Sequence, residues 1–180
     1  GWAIYPGGPA EISASVKAYF ALKLVGYSAD DPALAKARKV ILDLGGAAAC
    51  NSFTRFYLAL LGQITYDDCP SVPPELVLIP SRLNFSLSAM SAWTRSIVVP
   101  LSIMSHFKPV RRIEPGRGID DLFLNGSRRR PSSNEPLVSW GRFFLAADRG
   151  LKWADRWLPT SWRKRGLAAA HRWMLEHFED

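Results

Sequence analysis

Residues 10–26 read AEISASVKAYFALKLVG, and their apolar side chains return every three or four positions. Ile12, Val16, Tyr19, Phe20 and Leu24 fall on one broad stripe of a helix near 10–25, and Gly26 supplies its stop. The same spacing recurs along the chain, whereas strict alternation beyond four residues is hard to find, so the period selects an all-α fold. A second helix is expected over 32–44, where Asp31 caps, Pro32 suits the first turn and Gly45-Gly46 ends it. Asn51 or Ser52 caps a third at about 52–62, closed by Gly62.

Beyond this point prolines set the organisation. Pro70, Pro73, Pro74 and Pro80 break the period and predict a loop with one helical turn near Glu75–Ile79. The next helix is expected over about 86–107. Its stripe of Met90, Trp93, Ile97, Leu101 and Met104 is joined by Val98, Val99 and Ile103 on other sides, which predicts a buried cylinder. Arg95 and the serines at 86, 88, 91, 96, 102 and 105 interrupt it too often for a membrane span, and Pro100 should kink or divide it. Residues 108–138 carry four prolines, three glycines and the run Arg128-Arg129-Arg130, the signature of a long basic surface excursion with one turn near Asp120–Leu124. Two helices close the chain at about 140–157 and 160–178, parted by Pro159, with Thr160 or Ser161 as the second cap. The six helices fall in consecutive pairs.

At about 100° per residue the helix at 140–157 has a polar arc of roughly 120° formed by Asp148, Arg149, Lys152, Asp155 and Arg156. Its apolar remainder splits into two sectors. Phe143, Ala147, Leu151, Ala154 and Leu158 form one, and Ala146, Gly150, Trp153 and Trp157 the other. One sector suffices to bind a core. The tryptophan sector either covers a neighbouring helix or lies in a lipid interface, where indole rings and Lys/Arg occur together.

A chain of 180 residues, 48% hydrophobic and 22% charged, with mean hydropathy of −0.03, has the composition of one globular core. Disorder, collagen and a disulfide scaffold are excluded. Cys50 and Cys69 read as small buried thiols in a reducing compartment, and with His106, His171 and His177 scattered no metal-ligand spacing arises. The start, Gly-Trp-Ala-Ile-Tyr-Pro, has no charged region followed by an apolar run and reads as the interior of a longer chain. Charge is regional: residues 108–172 carry 15 basic and 6 acidic groups, against 8 and 7 in residues 1–107. Such a patch suits nucleic acid or an anionic lipid surface, or is a solvated face whose arginines pair locally.

Catalytic patterns are mostly absent. Asp30-Asp31, Asp67-Asp68 and Asp120-Asp121 are adjacent pairs whose side chains diverge, so each reads as a cap or turn. No nucleophile elbow, phosphate loop or dinucleotide fingerprint occurs, and no cofactor is implied. The inventory of 7 Trp, 9 Phe and 5 Tyr remains. Aromatic rings pack cores by default, and their π faces also stabilise a developing positive charge where water is excluded.

Five stretches, in order and at matching spacing, resemble the squalene-hopene cyclases and their triterpene cyclase relatives. They are WAIYPGGP (Trp2–Pro9), similar to the tail of one of the family's Gln-Trp repeats, SFTRFYLALLG (Ser52–Gly62), VPPELVLIP (Val72–Pro80), SAWTRSIVVPLSI (Ser91–Ile103) and AAAHRWMLEHFED (Ala168–Asp180). The resemblance implies an incomplete α/α barrel of paired helices, part of the smaller, second barrel of a terpene cyclase. Residues 1–180 would be one fragment of that domain, with helices and a proline-rich loop over 1–107, the basic excursion over 108–138 and two helices over 139–180. Cyclases of this kind protonate a terminal alkene of squalene with an Asp-x-Asp-Asp motif, and rings then close through carbocations to give hopene or hopanol. That motif is absent here and would lie downstream in the other barrel.

By motif position the resemblance makes Phe53 and Trp93 substrate-cavity residues and puts Val98 and Met90 near the substrate access channel, with an aromatic commoner than Met90 among relatives. It makes Trp153 and Trp157 membrane-facing, in an enzyme seated on one leaflet at the cytoplasmic side of a bacterial membrane without spanning it. Its other implied partners are squalene, the remaining barrel of the same chain and a second copy in a homodimer, with no nucleic acid, cofactor or metal. Phe178 stands where a repeat favours Gln, so the C-terminal repeat is degenerate. Two other readings stay open: a cyclase of another isoprenoid, oxidosqualene or a sesquarterpene precursor, and a basic helical module binding anionic lipid or nucleic acid through 108–172. A fragment with uncovered helix faces is also expected to dissolve poorly when expressed alone.

Overall fold

The computed structural model describes residues 1–83, 86–128, 148–150, 152–153, 157 and 159–178. Every regular element among them is helical: α1 (Ile12–Val25), α2 (Pro32–Asp43), α3 (Ser52–Leu60), α4 (Ala92–Phe107) and α5 (Thr160–Phe178), with short 3₁₀ turns between. The all-α expectation holds, and the boundaries of the first three helices fall within about two residues of the expected ones. The chain divides into two compact units, Gly1–Cys69 with Val110–Ser133, and Pro70–Pro109 with Asn134–Asp180.

In the first unit, local chemistry sets the helix ends. The Asp31 carboxylate accepts from Ala33 N–H at 2.8 Å, and the Asn51 side-chain oxygen accepts from Thr54 N–H at 2.9 Å. Gly26 ends α1 at φ 111°, a conformation glycine adopts without Cβ strain. The core gathers Val16, Tyr19, Phe20, Leu34, Ala37, Ile41, Phe56, Leu58, Ile119 and Leu122. Of the stripe expected on α1, Val16, Tyr19 and Phe20 are buried and Ile12 and Leu24 half-buried, and the buried face also takes in Ser13, Ser15 and Lys23. Ser13 accepts from Asn51 N–H and Ser15 bonds the Trp2 backbone, while Lys23 is drawn in toward Asp121, which accepts a 2.5 Å hydrogen bond from the Tyr19 hydroxyl and stands 4.0 Å from Lys23 and 3.8 Å from Arg38. A carboxylate on the 3₁₀ turn Asp120–Leu122 thus joins α1 to α2, and the Lys23 stem lies along the core with its charge directed to that turn. Burial and the Asp121 carboxylate hold the Tyr19 phenol well above its usual range.

Gly46 shows how closely that turn is held. It sits at φ +73°, and an added Cβ would lie 2.8 Å from the Leu122 carbonyl oxygen. Gly46→Ala is expected to destabilise the fold by about 1–2 kcal/mol, read as a lower thermal midpoint. Both cysteines are buried, as expected, and burial pushes the Cys50 thiol from 9.0 up to about 11. The folded state therefore favours the protonated thiol. That contribution is complete below about pH 9 and is lost as pH climbs toward 11, while the unfolded chain ionises first. Cys50→Ala should flatten this part of a stability-against-pH curve.

The second unit contains α4, α5 and the 3₁₀ turns Pro74–Leu78 and Leu87–Ala89. The Pro74–Leu78 turn falls where one helical turn was expected, and α5 lies close against it. A Cβ on Gly166 would come within 3.0 Å of the Pro74 carbonyl and the Glu75 nitrogen. Arg163 of α5 also donates to Glu75 at 3.2 Å. The helix begins at Thr160 with the Pro159 carbonyl accepting from Trp162 and Arg163 N–H, so Pro159, and not Thr160 or Ser161, holds the cap position. Two further expectations change. The helix expected over 86–107 divides at Met90–Ser91 into a 3₁₀ turn and α4, and Pro100 lies inside an unbroken α4. Nor is α4 buried all round: only Val99 and Ser102 are, because within its unit it packs along one side against α5 and the Pro74–Leu78 turn. Most of the helix expected over 140–157, including its Phe143/Leu151 sector, lies outside the described residues.

Candidate functional site

The sequence residues Phe53 and Trp93 occupy equivalent places in their helices. Each lies in the first turn, just after a side-chain cap. Ser91 caps α4 by accepting from Thr94 N–H at 3.1 Å, as Asn51 caps α3. Both rings are exposed, Phe53 at 42% and Trp93 at 77% of their surface. A large aromatic left in water forgoes the burial that is its ordinary contribution to stability, so these rings do not serve the core of the described chain. Exposed rings carry negative π faces toward whatever covers them.

Phe53 is not alone. Tyr57, one helical turn on, meets its ring edge-on, with centroids 5.3 Å apart and planes at 70°, and is itself 48% exposed. Sequence reading passed over Tyr57, although an aromatic pair at i and i+4 on a helix is the signal for it. Behind this pair the opposite side of α3 is buried through Thr54, Arg55, Phe56, Leu58 and Ala59. Arg55 is 2% exposed, an outcome that its position as the lone charge in SFTRFYLALLG leaves open.

Met90, Trp93 and Val98 lie along one stretch of the second unit. Met90 follows the Leu87–Ala89 turn, donating its N–H to the Leu87 carbonyl at 3.1 Å, and is half-buried. Val98 is half-buried on α4, five positions beyond Trp93, which turns it about 140° around the helix, so the two do not share a face. Trp153 and Trp157 are brought together, with ring centroids 6.3 Å apart and exposures of 66% and 75%. Beside them Asp148 pairs with Lys152 at 2.8 Å and accepts from the Ser71 N–H at 2.6 Å, while Asp155 and Arg156 of the expected polar arc lie outside the described residues.

Two described arginines of the basic excursion are committed locally. Arg117 pairs with Glu114 at 3.0 Å and donates to the Leu24 carbonyl, while Arg128 binds Asp120 and the Gln63 carbonyl. Among the described residues no group of three or more His, Cys, Asp or Glu is placed to hold a metal ion. Among the described residues no helix is long and apolar enough to cross a membrane. What the site residues offer is therefore aromatic surface and shape, with no nucleophile or acid–base pair among the residues singled out.

The family model of the squalene-hopene cyclase N-terminal domain matches residues 1–180. A squalene-hopene cyclase of Zymomonas mobilis is 37% identical over 177 residues, covering 98% of this chain and 27% of its own length. A probable squalene-hopene cyclase of Sinorhizobium fredii is 40% identical over 94% of this chain and 27% of its own. A dammaradiene synthase of the fern Dryopteris crassirhizoma is 34% identical over 100% of this chain and 26% of its own. The chain spans about a quarter of the length of the curated relatives it matches.

Proposed function

The chain belongs to the squalene-hopene cyclase family, whose N-terminal domain is an α/α-toroid element of terpene cyclases, and from that membership we propose that it forms part of an enzyme that cyclises squalene. The observation that carries this reading is the family match over the whole chain, shared with relatives named squalene-hopene cyclases. The reaction is an isomerisation. A proton from an acid outside this stretch adds to a terminal alkene, the cation migrates as each ring closes, and loss of a proton gives a hydrocarbon of the same formula. Capture of water in place of that loss gives an alcohol, whose reversal is a hydratase-type lyase activity. No cofactor is needed.

In this scheme Phe53 and Trp93 line the cavity and present π faces to the migrating charge, while Met90 and Val98 border the substrate's access channel. The exposure of Phe53 and Trp93 supports the assignment, as does the open side of α4, which the remaining barrel of the same chain would cover. Both compact units belong to one barrel domain, supported by a single family model running through both. Lacking the acid, this stretch alone is inactive. Incubating the complete protein with squalene and identifying products by gas chromatography with mass spectrometry tests the reading. A pentacyclic triterpene is expected, and unchanged squalene from folded protein contradicts it. A different isoprenoid product is the second reading, favoured by the relative named dammaradiene synthase.

The complete enzyme sits on one leaflet at the cytoplasmic face and pairs with a second copy. Support for the membrane contact is the exposed Trp153–Trp157 pair beside Lys152, the combination that suits a lipid interface. Trp153→Glu with Trp157→Glu should weaken liposome binding by about tenfold, measured by co-sedimentation, with product identity unchanged.

A further inference from the structure

Arg55 is the largest fully buried side chain of the described chain, in the middle of a nine-residue helix. A charge this far from water survives only with its donors satisfied, and its guanidinium makes four hydrogen bonds to backbone carbonyls. Nε donates to Asp68 at 3.0 Å, Nη1 to Ala48 at 2.8 Å, and Nη2 to Asp68 and Arg128 at 2.9 Å each. One planar group thereby joins the turn before α3, the turn after it and Arg128 of the basic excursion. A helix this short is held by tertiary contacts more than by its own propensity. The ends of α3 are tied as well: Asn51 N–H donates to Ser13 Oγ at 3.1 Å, and Arg111 N–H to the Leu60 carbonyl at 2.7 Å. On the side of α3 away from these anchors stand the exposed rings of Phe53 and Tyr57.

We infer that Arg55 is a positioning residue for the cyclisation: its fork of carbonyl bonds fixes the rotation and height of α3, and so the place of the Phe53 ring edge-packed on Tyr57. This rests on reading Phe53 as a cavity residue. Attraction between a cation and a π face depends on the distance to the ring centroid, so a tilt of α3 displaces the charge stabilisation without removing the ring. A cation left unsupported at an intermediate stage loses the proton β to it early. The product is then an alkene of the same formula as squalene with fewer rings, one proton having entered and one having left.

The test uses the complete cyclase, comparing wild type with Arg55→Lys, which keeps the charge and loses the fork. We expect kcat to fall about tenfold with KM within about twofold, and the ratio of incompletely cyclised to pentacyclic hydrocarbon to rise severalfold in protein that remains folded. Thr65→Ala is the second variant. It removes the 2.7 Å bond from Thr65 Oγ1 to Asp68 that steadies the turn bearing the Asp68 carbonyl, and it leaves Arg55 in place. It should shift the ratio in the same direction by less. A lowered thermal midpoint with wild-type product ratio and kcat in folded Arg55→Lys overturns the inference and makes Arg55 structural only. If Arg55→Lys does not fold, a wild-type ratio in Thr65→Ala overturns it. Wild-type protein that cyclises nothing overturns the functional reading itself, and this inference with it.

Discussion

Trp93→Ala in the complete cyclase is expected to lower kcat about 30- to 100-fold while leaving the thermal midpoint nearly unchanged. The two halves of this expectation come from one observation, the 77% exposure of the indole. A ring so little used by its own unit adds little to its packing, and the helix start is held by Ser91 and Thr94, which the substitution leaves alone. On the function proposed, the rest of the enzyme encloses the same ring against a cavity without water. There a cation over an indole gains about 2 kcal/mol or more, enough for the loss stated. Single-turnover rates with squalene, beside calorimetry, check both halves. A collapse of stability with unaltered kcat would return Trp93 to the role of a packing residue.

Arg55→Ala should have the largest effect on stability, a loss of about 3–5 kcal/mol. The carbonyls of Ala48, Asp68 and Arg128 would all lose charge-assisted donors, and a side-chain-sized void would open behind α3. Chemical denaturation of the complete protein should show an early transition for this region. Arg55→Lys keeps the charge and part of the bonding, and should fall between the two. The contrast separates the role proposed for Trp93, a ring that acts on substrate, from that proposed for Arg55, a cation that holds α3 and its Phe53 ring in place.

Most of the helical frame was legible from residue type alone. Asp31, Asn51 and Gly26 act at the helix ends where cap chemistry puts them, because a cap depends on its neighbours within a few positions. Burial was less legible. An apolar stripe identifies which residues can be covered, and whether they are covered depends on partners far along the chain, so α4 read as buried and Trp93 stands open. The burial of Lys23 on α1 was not legible for a related reason: Asp121, 102 positions from Tyr19, draws Lys23 and the Tyr19 hydroxyl inward, and no local period reports such a contact. For the proposed site, Phe53 and Trp93 are assigned by resemblance only, since an aromatic on a helix carries no mark of whether it meets substrate or core. Tyr57 could have been found by helical geometry.

The central claim is that this stretch lines the space in which squalene is cyclised. It is tested most directly by irradiating the complete protein with a squalene analogue bearing a photoreactive group and mapping the adducts by peptide mass spectrometry. Adducts on the peptides Ser52–Gly62 and Ser91–Ile103, suppressed by excess squalene, are the result expected. Suppressible adducts confined to other parts of the protein, with none on these two peptides, would contradict it.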